Sequence, residues 1–208
     1  MITIQRSIAD IASEVRGCAR CGLAQGRKLA VPGEGPATSE LMFIGEGPGF
    51  HENEQGRPFV GAAGRFLEQL LASIDLTRAD VYITNVVKCR PPSNRDPMPE
   101  EIAACADFLD EQIALVHPRL IVTLGRFSMA RWFQGESISR IHGQARKVGE
   151  QWVFPCFHPA AALHQDKFRS LIEADFLRIP DLLARIAPAP VIAEPEPQKE
   201  PALQLQLF

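Results

Sequence analysis

The sequence predicts an α/β fold, a three-layer α/β/α sandwich with a mostly parallel four-stranded central sheet. The first observation is a set of four short apolar runs with strand character, at residues 41–44, 81–87, 120–124 and 152–157. The second is that segments with helical periodicity follow these runs. Strands that alternate with helices in this way form a parallel sheet that is covered on both faces.

A helical segment follows each predicted strand. Residues 62–74 place their large apolar side chains on one face of a helix. A longer helix is predicted over residues 100–116, where a proline and two glutamates form a favourable helix start. Further helices are predicted at 126–133 and 168–186. Because ligands of such folds bind at the carboxyl ends of the strands, the residues after each strand are the candidate site.

The composition is that of a globular domain with an appendage. The chain has 208 residues, of which 46% are hydrophobic and 23% charged, and its formal net charge of −3 still allows a local basic patch. No apolar run approaches the roughly 18 residues of a membrane span, and the N-terminal residues lack the apolar core of a signal peptide. We therefore expect no membrane association and a cytoplasmic, nucleoid-associated location.

The composition changes after residue 186. Residues 187–203 hold five prolines and four charged residues, which predicts an extended flexible linker after a folded domain at 1–186. Residues 204–208, QLQLF, are apolar again and resemble the short Q-L-x-L-F peptide with which bacterial repair and replication proteins bind the sliding clamp. We predict that Gln204 to Phe208 bind such a clamp. The alternative is an apolar segment that folds back on the domain.

The loop after the first strand, Gly45-Glu46-Gly47-Pro48-Gly49, looks at first like a phosphate-binding loop. Its glycine spacing fits neither common nucleotide-binding motif. Pro48 also removes a backbone amide that a phosphate would use, and Glu46 would repel the phosphate. The loop is therefore either a tight turn or one wall of a pocket for an uncharged ligand.

Polar and basic residues follow the second and fourth strands. Asn85 offers an acceptor and two donors in one plane, which suits the edge of a nucleobase, although a turn-capping role is equally compatible. The cationic stretch after it suits phosphates, or is a solvated loop. His158 is placed to donate a hydrogen bond to developing negative charge, although a lone histidine is more often structural. Leu163 could insert into a base stack.

Four of the five cysteines form a candidate metal site. Cys18 and Cys21 are a C-x₂-C pair, Cys89 follows the second strand, and Cys105 lies in the helix after it. Four thiolates suit zinc or an iron–sulfur cluster, and spacing alone does not choose between them. The alternative is four unrelated buried thiols. Cys156 is predicted to be a buried strand residue.

Together these motifs resemble the family 4 uracil-DNA glycosylases, the iron–sulfur branch of the uracil-DNA glycosylase superfamily. GEGPG, GRPFVGAAGRFL, TNVVKCRPP-x-NR, HPAA and the cysteine set occur in the order of that family, between about residues 8 and 186. The resemblance implies an α/β/α sandwich and a [4Fe–4S] cluster on Cys18, Cys21, Cys89 and Cys105. It also implies hydrolysis of the N-glycosidic bond of uracil in DNA, which leaves an abasic site.

The resemblance implies roles for individual residues. Phe59 matches the aromatic that stacks on the flipped uracil, Asn85 the residue that reads N3 and O4, and His158 the donor to O2. Glu52 matches a side chain near uracil C5, where it would crowd the methyl group of thymine. The implied catalytic residues are Glu46, Asn94 and His158. The implied substrate-binding residues are Gly45, Gly47, Glu52, Phe59, Asn85 and His158. The predicted DNA-binding residues are Arg57, Lys88, Arg90, Arg95 and Leu163.

Two departures from related branches carry further expectations. Other branches place an Asp or Asn at the position of Gly47 to position water, so we expect Glu46, through Asn94, to take that role here. A branch that becomes trapped covalently on uracil carries GEQPG and an inserted basic loop. This chain has GEGPG and the short PPSNRDPMPEE, so turnover is expected.

The expected protein is thus a monomeric, monofunctional uracil-DNA glycosylase that acts on single- or double-stranded DNA. Two other functions are compatible with the sequence. One is a non-catalytic iron–sulfur module for DNA binding or redox sensing, and the other is a glycosylase that also accepts hypoxanthine or xanthine. The presence of the whole set of pocket residues favours the enzyme.

Overall fold

The structure of the protein is a computed structural model that describes residues 6–186. Its sheet has five strands in the order β2-β1-β3-β5-β4. The strands are β1 (Leu41–Gly45), β2 (Tyr82–Asn85), β3 (Leu120–Leu124), β4 (Arg146–Val148) and β5 (Gln151–Cys156). All neighbours pair in parallel except β4 and β5, which pair antiparallel. The sheet is therefore mostly parallel, as predicted, but it has one strand more than expected.

Strand β4 was missed because it is short, polar and at the edge of the sheet. Arg146–Val148 shows none of the apolar character that marks the buried strands, and it lies largely open to solvent. Only its pairing with β5 defines it as a strand. A short, charged edge strand of this kind also protects the sheet from pairing with other chains.

Helices cover both faces of the sheet, which confirms the three-layer sandwich. Because side chains alternate along a strand, Phe43 faces one layer while Met42 and Ile44 face the other. The first layer contains α4 (Ala62–Ala72), α8 (Asp166–Phe176) and α9 (Ile179–Arg185). The second layer contains α1 (Ile8–Gly17) and α5 (Pro99–Val116).

The remaining helices are short. They are α2 (Leu23–Gly26), α3 (Phe50–Gln55), α6 (Arg126–Ala130) and α7 (Ile138–Ile141), and 3₁₀ turns lie at Arg78–Asp80, Pro92–Asn94 and Pro159–Leu163. Two predictions need correction. The helix predicted at 126–133 ends at Ala130, and the one predicted at 168–186 is two helices that are separated at Leu177 and Arg178.

The topology places a crevice at the carboxyl ends of the strands. The chain passes from β1 to β2 on one side and then crosses to β3 on the other, and such a reversal is where ligands of open α/β sheets bind. Within residues 6–186, none of the helices combines the length and apolar character needed to cross a membrane. The predicted linker at 187–203 and the predicted clamp-binding peptide at 204–208 lie outside the described residues.

Candidate active site

A cavity of about 310 Å³ lies at the carboxyl ends of β1, β2 and β5. The structure brings eight of the predicted site residues together there: Glu46, Gly47, Glu52, Phe59, Asn85, Asn94, Arg95 and His158. Pro48 and Gly49, from the loop that was predicted as a possible pocket wall, line the cavity as well. Ala63, Pro91 and Ala160 were not predicted. These three carry no functional side-chain group, and only their position next to predicted residues could have indicated them.

Asn85 is the buried polar group of this cavity. It ends β2 and is 2% exposed. Its Oδ1 has no hydrogen-bond partner among the described residues, although an unpaired buried acceptor costs about 1–3 kcal/mol. Gly45 on β1 makes room for it, because a Cβ at that position would lie 2.4 Å from this oxygen. The oxygen is therefore available to a donor that none of residues 6–186 supplies.

Phe59 is held in a strained backbone conformation beside Asn85. Its φ is +52°, a value that side chains other than glycine rarely adopt. Nη1 of Arg78 donates a hydrogen bond to the carbonyl of Phe59 at 2.9 Å, and Nη2 donates to that of Pro58 at 2.6 Å. Helix α4 approaches so closely that a Cβ on Gly64 would lie 1.8 Å from the Phe59 carbonyl oxygen. These contacts fix the ring at the cavity wall.

Glu52 ties together the two loops on either side of the cavity. Its Oε1 accepts hydrogen bonds from the backbone N–H groups of Val60 at 2.8 Å and Gly61 at 2.9 Å. Its Oε2 accepts from the N–H of Gly49 at 3.1 Å. The carboxylate therefore positions the segment that carries Phe59, which is a role that the sequence did not indicate. Its contact with uracil C5 stays a prediction.

His158 presents a neutral imidazole to the cavity. Its Nδ1 accepts a hydrogen bond from the N–H of Ala160 at 3.1 Å, so the ring proton lies on Nε2. Burial lowers the pKa of His158 from 6.5 to about 4, and the charge of Glu52 opposes this shift. The ring lies 5.6 Å from that of Phe59, with an interplanar angle of 26°. The Nε2–H of neutral His158 is thus a hydrogen-bond donor that lies next to the ring of Phe59.

Glu46 is a half-buried carboxylate in the same cavity. Burial is the main cause that raises its pKa above the ordinary value of 4.5, and the nearby Asp96 raises it further, while Arg126 lowers it. Asp96 and Arg126 form an exposed ion pair. Asn94 also lines the cavity, and its Oδ1 accepts a hydrogen bond from Nε of Arg90 at 2.7 Å. Arg126 was not predicted as a site residue, because a single arginine after a strand carries no motif.

The structure contradicts the predicted contact between Lys88 and DNA. Lys88 is 1% exposed, and its Nζ donates hydrogen bonds, each 2.7 Å long, to the Thr84 hydroxyl, the Asn85 carbonyl and the Gln112 side-chain oxygen. Burial lowers the pKa of its ammonium group to about 8. Lys88 therefore supports the end of β2 from inside the protein, where DNA cannot reach it.

The other predicted DNA-binding residues lie closer to the surface. Leu163 is 43% exposed in the 3₁₀ turn that follows His158. Arg57 and Arg95 already form ion pairs, with Glu34 and Glu101 respectively. These pairs leave part of each guanidinium open to solvent, and their contacts with DNA stay predictions.

The four predicted ligand cysteines line one enclosed cavity between α1, α2 and α5, whereas Cys156 is buried elsewhere, in β5. All five are free thiols. Three of the four sulfurs accept hydrogen bonds. Cys105 accepts from the Lys88 N–H at 3.3 Å, Cys89 from Arg27 at 3.2 Å, and Cys18 from the Arg20 N–H at 3.5 Å. Among residues 6–186, no group of three or more His, Cys, Asp or Glu side chains is arranged to hold a single metal ion.

A parallel α/β sandwich with this pocket has a counterpart among known families. Residues 32–178 match the model of the uracil DNA glycosylase superfamily. This match covers most of the folded domain, including every residue that lines the cavity at the strand ends. The chain is therefore a member of the uracil DNA glycosylase superfamily.

Comparison with individual relatives identifies the type of glycosylase within this superfamily. The chain is 49% identical to a Type-4 uracil-DNA glycosylase of Sulfurisphaera tokodaii, over 85% of this chain and 84% of the relative. It is 44% identical to a protein of the same description from Archaeoglobus fulgidus, over 88% and 96%. The relative of that type from Thermotoga maritima is 43% identical, over 78% and 86%. The chain belongs to the Type-4 uracil-DNA glycosylases.

Proposed function

We propose that this chain hydrolyses the N-glycosidic bond of deoxyuridine in DNA and releases uracil, leaving an abasic site for later repair. The observation that carries the proposal is the unpaired Oδ1 of Asn85, buried at the wall of the cavity. Uracil brings an N3–H donor next to the O4 acceptor, which is the pattern that an asparagine amide complements. Cytosine has an acceptor at N3 and would leave Oδ1 unpaired.

The cavity suits a base that has been rotated out of the DNA stack. Glycosylases cannot reach the glycosidic bond inside a duplex, so they extrude the nucleotide or take it from a single strand. The ring of Phe59, held by Arg78 and by the packing against Gly64, offers a fixed surface for stacking. Asn85 then reads the edge of the stacked base. Glu52 cross-links the segment that carries Phe59 to the loop after β1, so this wall of the site is organised before the base arrives.

His158 stabilises the leaving group. As the glycosidic bond breaks, the sugar gains positive charge and uracil leaves as an anion with charge on O2. The Nε2–H of neutral His158 donates to that oxygen, while Ala160 holds the tautomer from the other side. A donor aimed at developing charge in a site of this kind contributes about 3–4 kcal/mol to the transition state. Uracil therefore leaves as an anion, and His158 does not transfer a proton to it.

Glu46 orients the water that attacks the sugar. Gly47 carries no side chain, and a Cβ there would lie 2.7 Å from a methyl of Val87, so this position has no room for the carboxylate that other branches use. Glu46 is the neighbouring group with an acceptor in the cavity, and its ionised form is the one that binds water as an acceptor. Asn94 lines the same cavity and contributes a second polar contact.

We also propose that Cys18, Cys21, Cys89 and Cys105 hold a [4Fe–4S] cluster. Support comes from four free thiols around one cavity and from the N–H donors directed at three of the sulfurs, which stabilise thiolates in such sites. The lack of a single-ion arrangement is compatible with this, because the ligands of a cluster stand further apart than those of one ion. When bound, the cluster would act as a structural cross-link between the α1–α2 segment and α5.

The test is an excision assay with the full-length protein. Oligonucleotides that carry uracil, thymine or hypoxanthine are incubated with the enzyme and then treated with alkali, which cleaves abasic sites. We expect product from the uracil substrate and none from thymine, and the hypoxanthine substrate measures the breadth of the specificity. Asn85→Ala should lose most of the activity. Failure of the wild-type protein to act on uracil would refute the proposal.

The peptide Gln204 to Phe208 supports a second, separable proposal, that the chain binds the DNA sliding clamp. Its sequence matches the Q-L-x-L-F pattern, and tethering to a clamp would raise the local concentration of enzyme on DNA. Removal of residues 204–208 should abolish capture by immobilised clamp and leave excision from short oligonucleotides unchanged. Undiminished capture of the truncated protein would contradict this proposal alone.

A further inference from the structure

A flat apolar side chain stands exposed beside the mouth of the cavity. Phe50 begins α3, directly after the cavity-lining Gly49, and is 53% exposed. The guanidinium carbon of Arg90 lies 5.3 Å from the centroid of its ring, and the ring of His51 lies nearly perpendicular to it at 5.5 Å. We refer to Phe50 and Arg90 together as the rim stack.

The rim stack is connected to the cavity by a hydrogen bond. Nε of Arg90 donates to Oδ1 of Asn94 at 2.7 Å, and Asn94 lines the cavity wall. A cation over an aromatic face is attractive, so Arg90 holds the ring of Phe50 from one side. The rest of the ring is left open to solvent. Nothing in the chemistry described for the cavity uses this ring.

We propose that the rim stack binds the nucleobase next to the extruded uracil, by stacking of that base on Phe50 in an unpaired stretch of DNA. The inference rests on the proposed function, because a DNA strand with its uracil in the cavity brings the neighbouring nucleotide to the rim. Rotation of one nucleotide out of the strand deprives its neighbour of a stacking partner. An aromatic ring replaces that partner for any of the four bases, since each has a π-face.

The charge of the rim agrees with this occupant. Arg90 supplies a positive charge next to the ring, where the phosphate between the two nucleotides would pass. Aromatic rings beside basic side chains are the usual composition of surfaces that bind single-stranded nucleic acid without sequence preference. Leu163, on the turn after His158, has no flat face and cannot supply this contact.

The test measures binding of full-length variants to single-stranded oligonucleotides that carry a non-hydrolysable deoxyuridine analogue. Phe50→Ala should raise Kd by about 5- to 100-fold, the range for loss of one base–aromatic stack. Phe50→Trp should bind as the wild type does, and Phe50→Leu should bind as poorly as Phe50→Ala. Leu177→Ala, which truncates another exposed apolar residue at the end of α8, should have no effect.

A second set of oligonucleotides tests the occupant directly. When the base on one side of the uracil analogue is replaced by an abasic residue, wild type and Phe50→Ala should bind equally. If wild type and Phe50→Ala bind the complete oligonucleotide equally well, the proposed role of the rim stack is wrong. It is also wrong if the weaker binding of Phe50→Ala persists whichever neighbouring base is removed. If the wild type still excises uracil, the proposed glycosylase function stands whatever the binding results. If the wild type does not excise uracil, both the glycosylase function and the rim stack are refuted.

Discussion

The backbone N–H of Ala160 donates a hydrogen bond to Nδ1 of His158 at 3.1 Å, and this one contact decides the chemistry of the ring. A proton on Nδ1 would face that N–H, so the cationic form is disfavoured by geometry as well as by burial. The proton that remains, on Nε2, is the one available to a ligand. In the proposed mechanism, His158 therefore acts as a hydrogen-bond donor to the leaving anion and does not shuttle a proton near neutral pH.

The first prediction concerns the pH dependence of His158. Because its pKa is lowered to about 4, the neutral form persists as the pH falls and is lost only when the pH passes through that value. We expect no change in excision rate that is due to His158 between about pH 6 and about pH 8. His158→Ala should lower kcat by about 100- to 1,000-fold at all these pH values. A step near the ordinary histidine pKa that disappears in His158→Ala would contradict the assignment.

The second prediction concerns Glu46. Its ionised form is lost as the pH falls through its pKa, and because this pKa is raised, the acid limb of the rate profile should lie above that of an ordinary glutamate. Glu46→Gln should lower kcat and remove the limb. Asp96→Asn should move the limb to lower pH, and Arg126→Gln should move it to higher pH, because these two charges act on Glu46 in opposite directions. Shifts of the same sign in both variants would exclude Glu46 as the origin of the limb.

A third prediction addresses base selection by Asn85. Asn85→Asp replaces the amide by a carboxylate that accepts from the amino group of cytosine, so discrimination between uracil and cytosine should be lost. The measurement compares release of the two bases from otherwise identical oligonucleotides. Gln69→Glu is a suitable control, because it makes the same chemical change at an exposed residue of α4, outside the cavity. Unchanged selectivity in Asn85→Asp would show that another group reads the base.

The fourth prediction concerns the packing of α4 against the Phe59 loop. Gly64→Ala places a methyl group 1.8 Å from the Phe59 carbonyl oxygen, so helix and loop must separate. We expect a loss of about 3 kcal/mol in the free energy of unfolding, together with weaker uracil binding. Gly17→Ala, also in a helix but with no heavy atom within 4 Å of the added Cβ, should not lower the stability. Denaturant unfolding of both variants tests the difference.

The fifth prediction distinguishes the proposed ligand cysteines from the remaining one. Cys89→Ser should lose most of the iron and acid-labile sulfide from the purified protein, since a hydroxyl is a poor ligand for such a cluster. Cys156→Ser changes a buried thiol on β5, far from the other four in the fold, and should keep the metal content of the wild type. Equal iron content in both variants, or none in the wild type, would argue against the cluster.

Much of this architecture could be predicted from the sequence because buried strands and amphipathic helices leave periodic patterns. The cavity residues could be placed as well, since ends of parallel strands meet at one edge of the sheet. Helix α1 (Ile8–Gly17) was not predicted. Strand Arg146–Val148 was also missed, because its pairing depends on a neighbouring strand and leaves no apolar signal. The break between α8 and α9 was also missed, although Pro180 in the first turn of α9 is a residue that interrupts a helix and favours the start of the next.

What the sequence could not show is the direction in which a polar side chain points. Lys88 precedes a thiol and two other basic residues in the chain, yet it turns inward and bonds to Thr84 and Gln112. Arg78 has no motif around it, although it holds the backbone of Phe59. Both roles arise from contacts between residues that are distant in sequence, and such contacts appear only after folding.

Lys88 also has a consequence for how the protein matures. Its backbone N–H contacts the sulfur of Cys105, and its ammonium group contacts the carbonyl of Asn85. Lys88 thus contacts both the strand end that carries Asn85 and one of the four clustered thiols. If Asn85 reads the base and the cysteines hold a cluster, as proposed, we expect a chain whose thiols are oxidised or unfilled to present Asn85 in a displaced position. Assembly of the thiol site would then affect the choice of base as well as folding.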